Sequence, residues 1–214
     1  MTDVVLATRN GHKVTELRVI LADVAGELDL TIVGLDAHAD APDVVEDGVT
    51  FEQNALLKAT SAVRATGLPA VADDSGLAVD VMGGSPGIFS ARWSGGRGDL
   101  ANTELLLAQL GDVRDEHRGA AFVCAAALVL PDGRSVVETR RYPGHVARGP
   151  RGDGGFGYDP VFVPSEQPVR GPSGRAVGGE LTLAEFTAQE KNDASHRALA
   201  FRALVPHLKE LLSP

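Results

Sequence analysis

Asp73-Asp74-Ser75-Gly76 sets two adjacent carboxylates and a hydroxyl within four residues, and acidic Asp43, Glu46 and Asp47 lie in the loop-like stretch before them. Hard oxygen donors of this kind suit Mg²⁺, which usually takes one or two protein carboxylates together with substrate phosphates. The same four residues also read as a plain turn closed by Asx hydrogen bonds. Lysine usage sharpens the first reading. The chain carries 16 Arg but only four Lys, and three of these stand beside other polar candidates: Lys13 after Thr8-Arg9-Asn10-Gly11, Lys58 in a capped helix, and Lys191 before Ser195-His196-Arg197. A compact ammonium is a point-charge partner for a phosphate oxygen or a base carbonyl, and a solvated surface lysine is the alternative for each. Phe156 and Tyr158 sit in a glycine-rich run, where an aromatic face can be exposed to stack on a nucleobase or can equally pack in a core. Trp93 is open in the same way, between an interface anchor and core.

Other chemistries are harder to place. The segment 152–157 satisfies G-x-G-x-x-G, but a dinucleotide fingerprint must open a helix, and Tyr158-Asp159-Pro160 followed by Val-Phe-Val does not. No G-x-x-x-x-G-K-[ST] occurs, which excludes a P-loop. The six His show no ligand spacing, and the single Cys124 cannot build a thiolate site or an internal disulfide, so zinc is not expected and Cys124 reads as a buried small hydrophobe. A net charge of −9 repels nucleic acid polymers while leaving room for a small phosphorylated ligand in one locally cationic pocket. With 214 residues, 43% hydrophobic and 23% charged, the chain is long and apolar enough for a real core. The first residues reach a turn too soon for a signal peptide or membrane span, so a cytoplasmic protein without membrane contact is expected.

These side chains must be held by alternating strands and helices. The run Val4 to Thr8 reads as a strand ending at Asn10-Gly11, followed by a helix whose Val14, Leu17, Leu21 and Val24 share one face. Leu30 to Val33 is a short strand. Thr50-Phe51-Glu52-Gln53 forms a capping box, Thr50 accepting from Gln53 N–H and Gln53 reaching back, and opens a helix that buries Phe51, Ala55, Ala59 and Ala62 and ends near Gly67. Pro69 to Ala72 and Leu77 to Val81 read as two strands separated by the polar segment 73–76. The region 83–98, with six Gly and Pro86, predicts no regular element, and a leucine-rich helix over 100–110 stops at Gly111. Residues 119–130 and 135–142 predict a hairpin across Pro131-Asp132-Gly133. Residues 165–180 predict a mobile loop, and the last helix starts near Ser195 with Pro206 as a kink or break. No repeat or clean linker divides the chain, so one α/β domain with two lobes over 1–214 is the simplest organisation.

Five blocks, taken in order, resemble the non-standard purine nucleoside triphosphate pyrophosphatase family, also called the inosine triphosphatase family. They are Leu6-Ala7-Thr8-Arg9-Asn10-Gly11-His12-Lys13, residues 50–59, Ala72-Asp73-Asp74-Ser75-Gly76-Leu77 running into 83–87, Gly154-Gly155-Phe156-Gly157-Tyr158-Asp159-Pro160, and Glu190-Lys191 with Ser195-His196-Arg197. Arg9 stands where many relatives have Gly, and the 165–180 stretch looks longer than in compact members.

The resemblance implies an elongated mixed-sheet α/β fold, two lobes with a central cleft, a homodimer, Mg²⁺ dependence, and hydrolysis of ITP, dITP and XTP to monophosphate and pyrophosphate. It implies a substrate-binding run of Thr8, Arg9, Asn10, Gly11, His12 and Lys13, in which Thr8, Asn10 and Lys13 hold the triphosphate, with Lys58 a further cation. Asp74 would be metal ligand and base for water, Asp73 and Glu46 would support the metal, and Ser75 would contact substrate. Phe156 would stack on the purine, with Gly157, Tyr158, Asp159, Lys191, His196 and Arg197 lining the base pocket. Inosine and xanthine offer an acceptor at position 6 where adenine offers an amino donor, so donors from Lys191, His196 or Arg197 would reject ATP. Two other readings stay open: a regulatory module that binds a nucleotide uncut, and a pyrophosphatase for pyrimidine or modified nucleotides. An acidic interaction protein without a pocket would leave the clustered lysines and glycines unexplained.

Overall fold

A near-continuous apolar run with no polar alternation belongs to a strand buried on both faces. Residues Gly119–Val129 form one, here β4. It sends Cys124, Ala126 and Leu128 into one hydrophobic cluster and Ala125, Ala127 and Val129 into another, as the two-residue period of a strand demands. The computed structural model describes residues 2–168 and 179–212. The remaining strands are β1 (Thr2–Leu6), β2 (Leu30–Gly34), β3 (Ala70–Val79), β5 (Ser135–Val146) and β6 (Phe162–Pro164), in the sheet order β2-β1-β3-β4-β5-β6. β1 pairs parallel with β2 and β3, and β5 pairs antiparallel with β6, so the fold is mixed α/β.

The chain divides into two compact units. The first comprises Met1–Ser75, Cys124–Arg140 and His196–Pro214; the second comprises Gly76–Val123 and Arg141–Ser195. In the first, helices α1 (Gly11–Ile20), α2 (Ala22–Glu27) and α6 (His196–Leu212) bury Leu17, Leu21, Val24, Phe201 and Leu204 in the same cluster as Val4, Leu6 and Val71 of the sheet. On the opposite face α3 (Phe51–Thr66) packs Ala55, Ala59 and Ala62 with Val5, Ala70 and Ala72. Alanine at each of these positions lets the helix backbone lie close to the sheet. Gly67, at φ 69°, ends α3 in the left-handed conformation that glycine adopts without steric cost.

The second unit contains α4 (Asp99–Gln109), α5 (Ala188–Ala194) and a 3₁₀ segment over Gly87–Arg92. Phe122 and Phe162 meet edge to face with centroids 4.8 Å apart. Arg118 is buried and donates to the carbonyls of Leu110, Val146 and Ala147, which fastens the end of α4 to the end of β5.

Several expected elements change. Residues 73–76 are no turn, because β3 runs unbroken from Ala70 to Val79. An Asx turn needs the Asp side chain to bond its own backbone, and both carboxylates are taken by cations instead. The first long helix splits at Leu21, whose backbone sits at φ −95°, ψ 1°, although Leu17 and Leu21 keep the same buried face. Gln53 accepts from Val49 N–H rather than from Thr50 N–H, while Thr50 caps Gln53 N–H as expected. The 83–98 region gains its 3₁₀ segment, and α6 continues through Pro206 to Leu212, held on both sides by buried Leu204 and Leu208. Most of the loop expected over 165–180 lies outside the described residues. No helix among the described residues is long and apolar enough to cross a membrane.

Candidate functional site

The chain leaves β1 and enters α1 through a turn braced by its own polar side chains. Thr8 Oγ1 accepts from Asn10 N–H at 3.2 Å, and Asn10 Oδ1 accepts from Lys13 N–H at 3.3 Å, capping the first turn of α1. Gly11 and His12 are the first residues of that helix. A helix N-terminus carries unpaired N–H groups and partial positive charge, and so favours anions. Arg9 donates to Ala41 O and pairs with Asp43 at 3.3 Å, pinning the start of the acidic loop. Thr8, Arg9, Asn10, Lys13, Lys58 and Glu46 line a cavity of about 410 Å³ whose wall includes Asp73. A larger groove of about 940 Å³ on the outside of α3 holds Leu56, Leu57 and Ala65 but neither Lys13 nor Lys58, and Asp74 lines neither space.

The two β3 carboxylates have opposite environments. Asp73 is 4% exposed; its Oδ2 receives Lys13 Nζ at 3.0 Å and Arg197 Nε at 3.2 Å, and Lys13 also reaches Oδ1 at 3.2 Å. Burial alone would raise its pKa, but Lys13 and Arg197 outweigh it and hold the carboxyl far below the usual carboxylate range. Asp74 accepts from Lys58 Nζ at 2.9 Å on Oδ1 and from Asn54 Nδ2 at 3.1 Å on Oδ2. Here burial wins. Asp74 sits above its ordinary value, with Lys58 opposing the shift and Glu46 adding to it. Lys58 also meets Glu46 at 3.2 Å, and the surrounding carboxylates overcome the penalty of burial to keep its ammonium charged.

Glu46 and Asp74 therefore converge on one cationic centre. Two hard oxygen donors that already share an ammonium form an appropriate pair for Mg²⁺ completed by phosphate oxygens. Asp73, the other carboxylate expected to support a metal, has Lys13 on both oxygens and Arg197 on Oδ2. Among the described residues no group of three or more His, Cys, Asp or Glu side chains could hold a metal by itself.

Arg197, expected at a base pocket, lies 1% exposed in the first unit, bonded to Asp73, to Glu16 Oε2 at 2.8 Å and to Ser75 Oγ at 3.2 Å. The reason is electrostatic. A buried guanidinium needs carboxylates, and Asp73 and Glu16 supply them. His196 is buried beside it in sequence, at the first position of α6.

The second unit brings together Phe156, Gly157, Tyr158, Asp159 and Lys191. Asp159, 3% exposed, accepts from Phe156 N–H at 2.9 Å and from Lys191 Nζ at 2.6 Å. A Cβ on Gly155 would lie 2.1 Å from Asp159 Oδ2, at a φ of +75°, so only glycine fits this close approach. Gly157 N–H donates to Asp99 at 2.9 Å. These bonds fix the loop while Phe156 stays 48% exposed, with Lys191 Nζ 4.8 Å from its ring centroid. Tyr158 is buried, and its hydroxyl donates to Ser90 O at 3.0 Å. The G-x-G-x-x-G run opens no α-helix, as its sequel indicated.

Sequence reasoning missed Asn54 and Glu16. Asn54 stands inside an apolar stripe read only for its alanines, four residues before Lys58 and so on the same face of α3. Glu16 follows Lys13 by three residues on α1, and that spacing was the available signal.

The chain matches the model of the Ham1 family over residues 4–207. It is 57% identical over 213 residues to a dITP/XTP pyrophosphatase of Streptomyces coelicolor, covering 99% of this chain and all of that one. The crystal structure of a nucleoside-triphosphatase, dITP/XTP pyrophosphatase, from Mycobacterium abscessus superposes with a TM-score of 0.74 at 48% identity, over 96% of this chain and 100% of that one. A HAM1 protein from Coxiella burnetii gives a TM-score of 0.82 at 36% identity, over 98% of this chain and 100% of that one. With the match running from β1 into α6, past every block of polar residues described above, this chain belongs to the Ham1 family.

Proposed function

We propose that this chain is a nucleoside triphosphate pyrophosphatase that cleaves dITP, ITP and XTP to the monophosphate and pyrophosphate. The observation that carries the proposal is the convergence of Glu46 and Asp74 on Lys58, which with Glu46 and Lys13 lines the cavity beside a helix N-terminus. The relatives' names support the substrate class.

In this reading Thr8, Asn10, Lys13 and the α1 N-terminus hold the phosphates. Mg²⁺ held by Glu46 and Asp74 would neutralise the transferring group and make the attacking water more acidic. Asp74 takes the proton as the water oxygen bonds to the α-phosphorus and the bond from that phosphorus to the bridging oxygen breaks. Lys13 meets the charge that develops on the leaving pyrophosphate. We assign Asp73 and Arg197 to fixing Lys13 and Ser75 rather than to metal or base. Phe156 stacks on the purine and Lys191 donates to the 6-oxo group, where an adenine amino group would set donor against donor. A homodimer working in the cytoplasm on the free nucleotide pool completes the proposal.

A pyrophosphate-release assay over dITP, ITP, XTP, GTP and ATP, with Mg²⁺ and then with chelator, tests reaction, metal and specificity together. Release from dITP and XTP that needs Mg²⁺ and falls by roughly 10² or more for ATP is expected. Binding without release would make the chain a nucleotide-binding module, and equal kcat/KM for ATP and ITP would end the base-polarity argument.

A further inference from the structure

We infer that Asn54 is a positioning residue that sets Glu46 and Asp74 at the separation their shared cation needs; the inference rests on the hydrolytic reading above. Asn54 is 0% exposed, and both ends of its amide are committed. Nδ2 donates to Asp74 Oδ2 at 3.1 Å, while Oδ1 accepts from Gly48 N–H at 2.9 Å. The amide has one sensible orientation, since the carboxylate can only accept and the backbone N–H can only donate. It therefore ties β3, through Asp74, to the backbone two residues after Glu46.

The loop has little freedom beyond this tie. Val49 N–H donates to Gln53 at 2.8 Å, and Arg9 holds the loop's other end through Ala41 O. A Cβ on Gly48 would lie 2.6 Å from Asn54 Oδ1, 2.8 Å from Gln53 Cβ and 3.0 Å from Asn54 N, so glycine is required for the loop to close onto α3. Asn54 also leaves Asp74 asymmetric. Oδ2 carries the amide N–H and Oδ1 faces Lys58, which restrains rotation of the carboxylate about its Cβ–Cγ bond. A buried amide between a buried carboxylate and a half-buried backbone N–H is costly to leave half-made, so loop and strand are held as one piece.

Asn54→Leu keeps the volume and removes both bonds, whereas Gly48→Ala crowds the Asn54 amide and pushes the loop off while leaving the Nδ2 donor to Asp74 in the chain. The measurements are kcat and KM for dITP, the Mg²⁺ concentration for half-activation, and direct Mn²⁺ binding by electron paramagnetic resonance on protein saturated with a non-hydrolysable α,β-methylene triphosphate. Expected for both variants is about tenfold weaker Mn²⁺ binding, a matching rise in the Mg²⁺ requirement, and a loss in kcat of about 10- to 100-fold with KM changed little, in line with losses at residues that orient metal ligands. A role in folding alone would lower the melting temperature and leave Mn²⁺ affinity where it was. Folded Asn54→Leu with wild-type Mn²⁺ binding and kcat overturns the inference. Should Asn54→Leu fail to fold, Gly48→Ala decides by the same reading. A wild-type protein that releases no pyrophosphate sinks the hydrolytic reading instead, and the two failures are thereby told apart.

Discussion

The polar groups of the two units are organised on different principles. In the first, carboxylates and cations interlock: Asp73 holds Lys13 and Arg197, Arg197 reaches Glu16, and Lys58 bridges Asp74 and Glu46. In the second, one ion pair, Lys191 with Asp159, backs a half-exposed phenylalanine on a glycine-rich loop. An interlocked set suits bond cleavage, where charge must be met at fixed points; an exposed ring suits recognition of a flat apolar face. The comparison implies that substitutions in the first unit strike rate and stability hard, whereas those in the second strike selectivity and leave the reaction standing.

The largest expected effect is that of Asp74→Asn. It removes the proposed base and metal ligand while keeping the shape, so kcat should fall by about 10² to 10⁴ with nucleotide binding retained. Stopped-flow or steady-state pyrophosphate release measures the first, and calorimetric titration of the analogue the second. Near-wild-type turnover would take Asp74 out of the mechanism and dissolve the contrast between the units.

Arg197→Met comes next, and it acts on stability. Removing one partner of a buried ion pair costs about 3–5 kcal/mol, because Asp73 and Glu16 keep buried charge with fewer cations to offset it. Denaturant unfolding of the isolated protein reads this directly. The pH dependence has a definite sign. Asp73 has its folded pKa held far below the unfolded value near 3.9, so the stability it confers is complete above about pH 4 and drains away as pH falls further. Arg197→Met should flatten that acid limb, since one of the three cations that depress Asp73 is gone. An acid limb unchanged by the substitution would show that the interlocking is geometric only.

Phe156→Ala tests the other side of the comparison. Loss of stacking should cost about 1–3 kcal/mol of nucleotide binding, seen as a raised KM for dITP and XTP alike with kcat little changed. A fall in kcat as large as that of Asp74→Asn would mean that the aromatic loop takes part in the chemistry.

How much of this could be read from sequence follows the same division between local and distant contacts. The α3 helix was legible because its start and stop are local: Thr50 caps Gln53 N–H and Gly67 ends the last turn. The site's residue types were legible for the same reason, as Thr8, Asn10 and Lys13 fall within six residues. What stayed hidden depends on partners far along the chain. Asp73 and Asp74 read as a turn because their true partners are Lys13, Lys58 and Arg197, separated from them by 60, 16 and 124 positions. Arg197 and Lys191 stand six residues apart in sequence, and their carboxylate partners, Asp73 for one and Asp159 for the other, could not be read from that spacing. Spacing along a chain gives helix faces and strand sides; it does not give the pairing of charges brought together by the fold.

The smallest expected effect separates two roles for one tyrosine. Tyr158 is expected to line a base pocket, and its ring is buried with its hydroxyl donating to Ser90 O at 3.0 Å. A hydroxyl already donating to a backbone carbonyl cannot use the same proton on a purine. Tyr158→Phe should therefore cost about 1 kcal/mol of stability, the net worth of one hydrogen bond plus an unsatisfied carbonyl, and lower the melting temperature by about 2–4 °C for a chain of this size. The ratio of kcat/KM for dITP over dATP should stay within about twofold, a difference of roughly 0.4 kcal/mol. A tenfold fall in that ratio with an unchanged melting temperature would reverse the assignment, giving the hydroxyl to the base and leaving Phe156 and Lys191 as only part of the recognition set. The experiment thus decides whether selectivity in the second unit rests on its exposed side chains or reaches into its core.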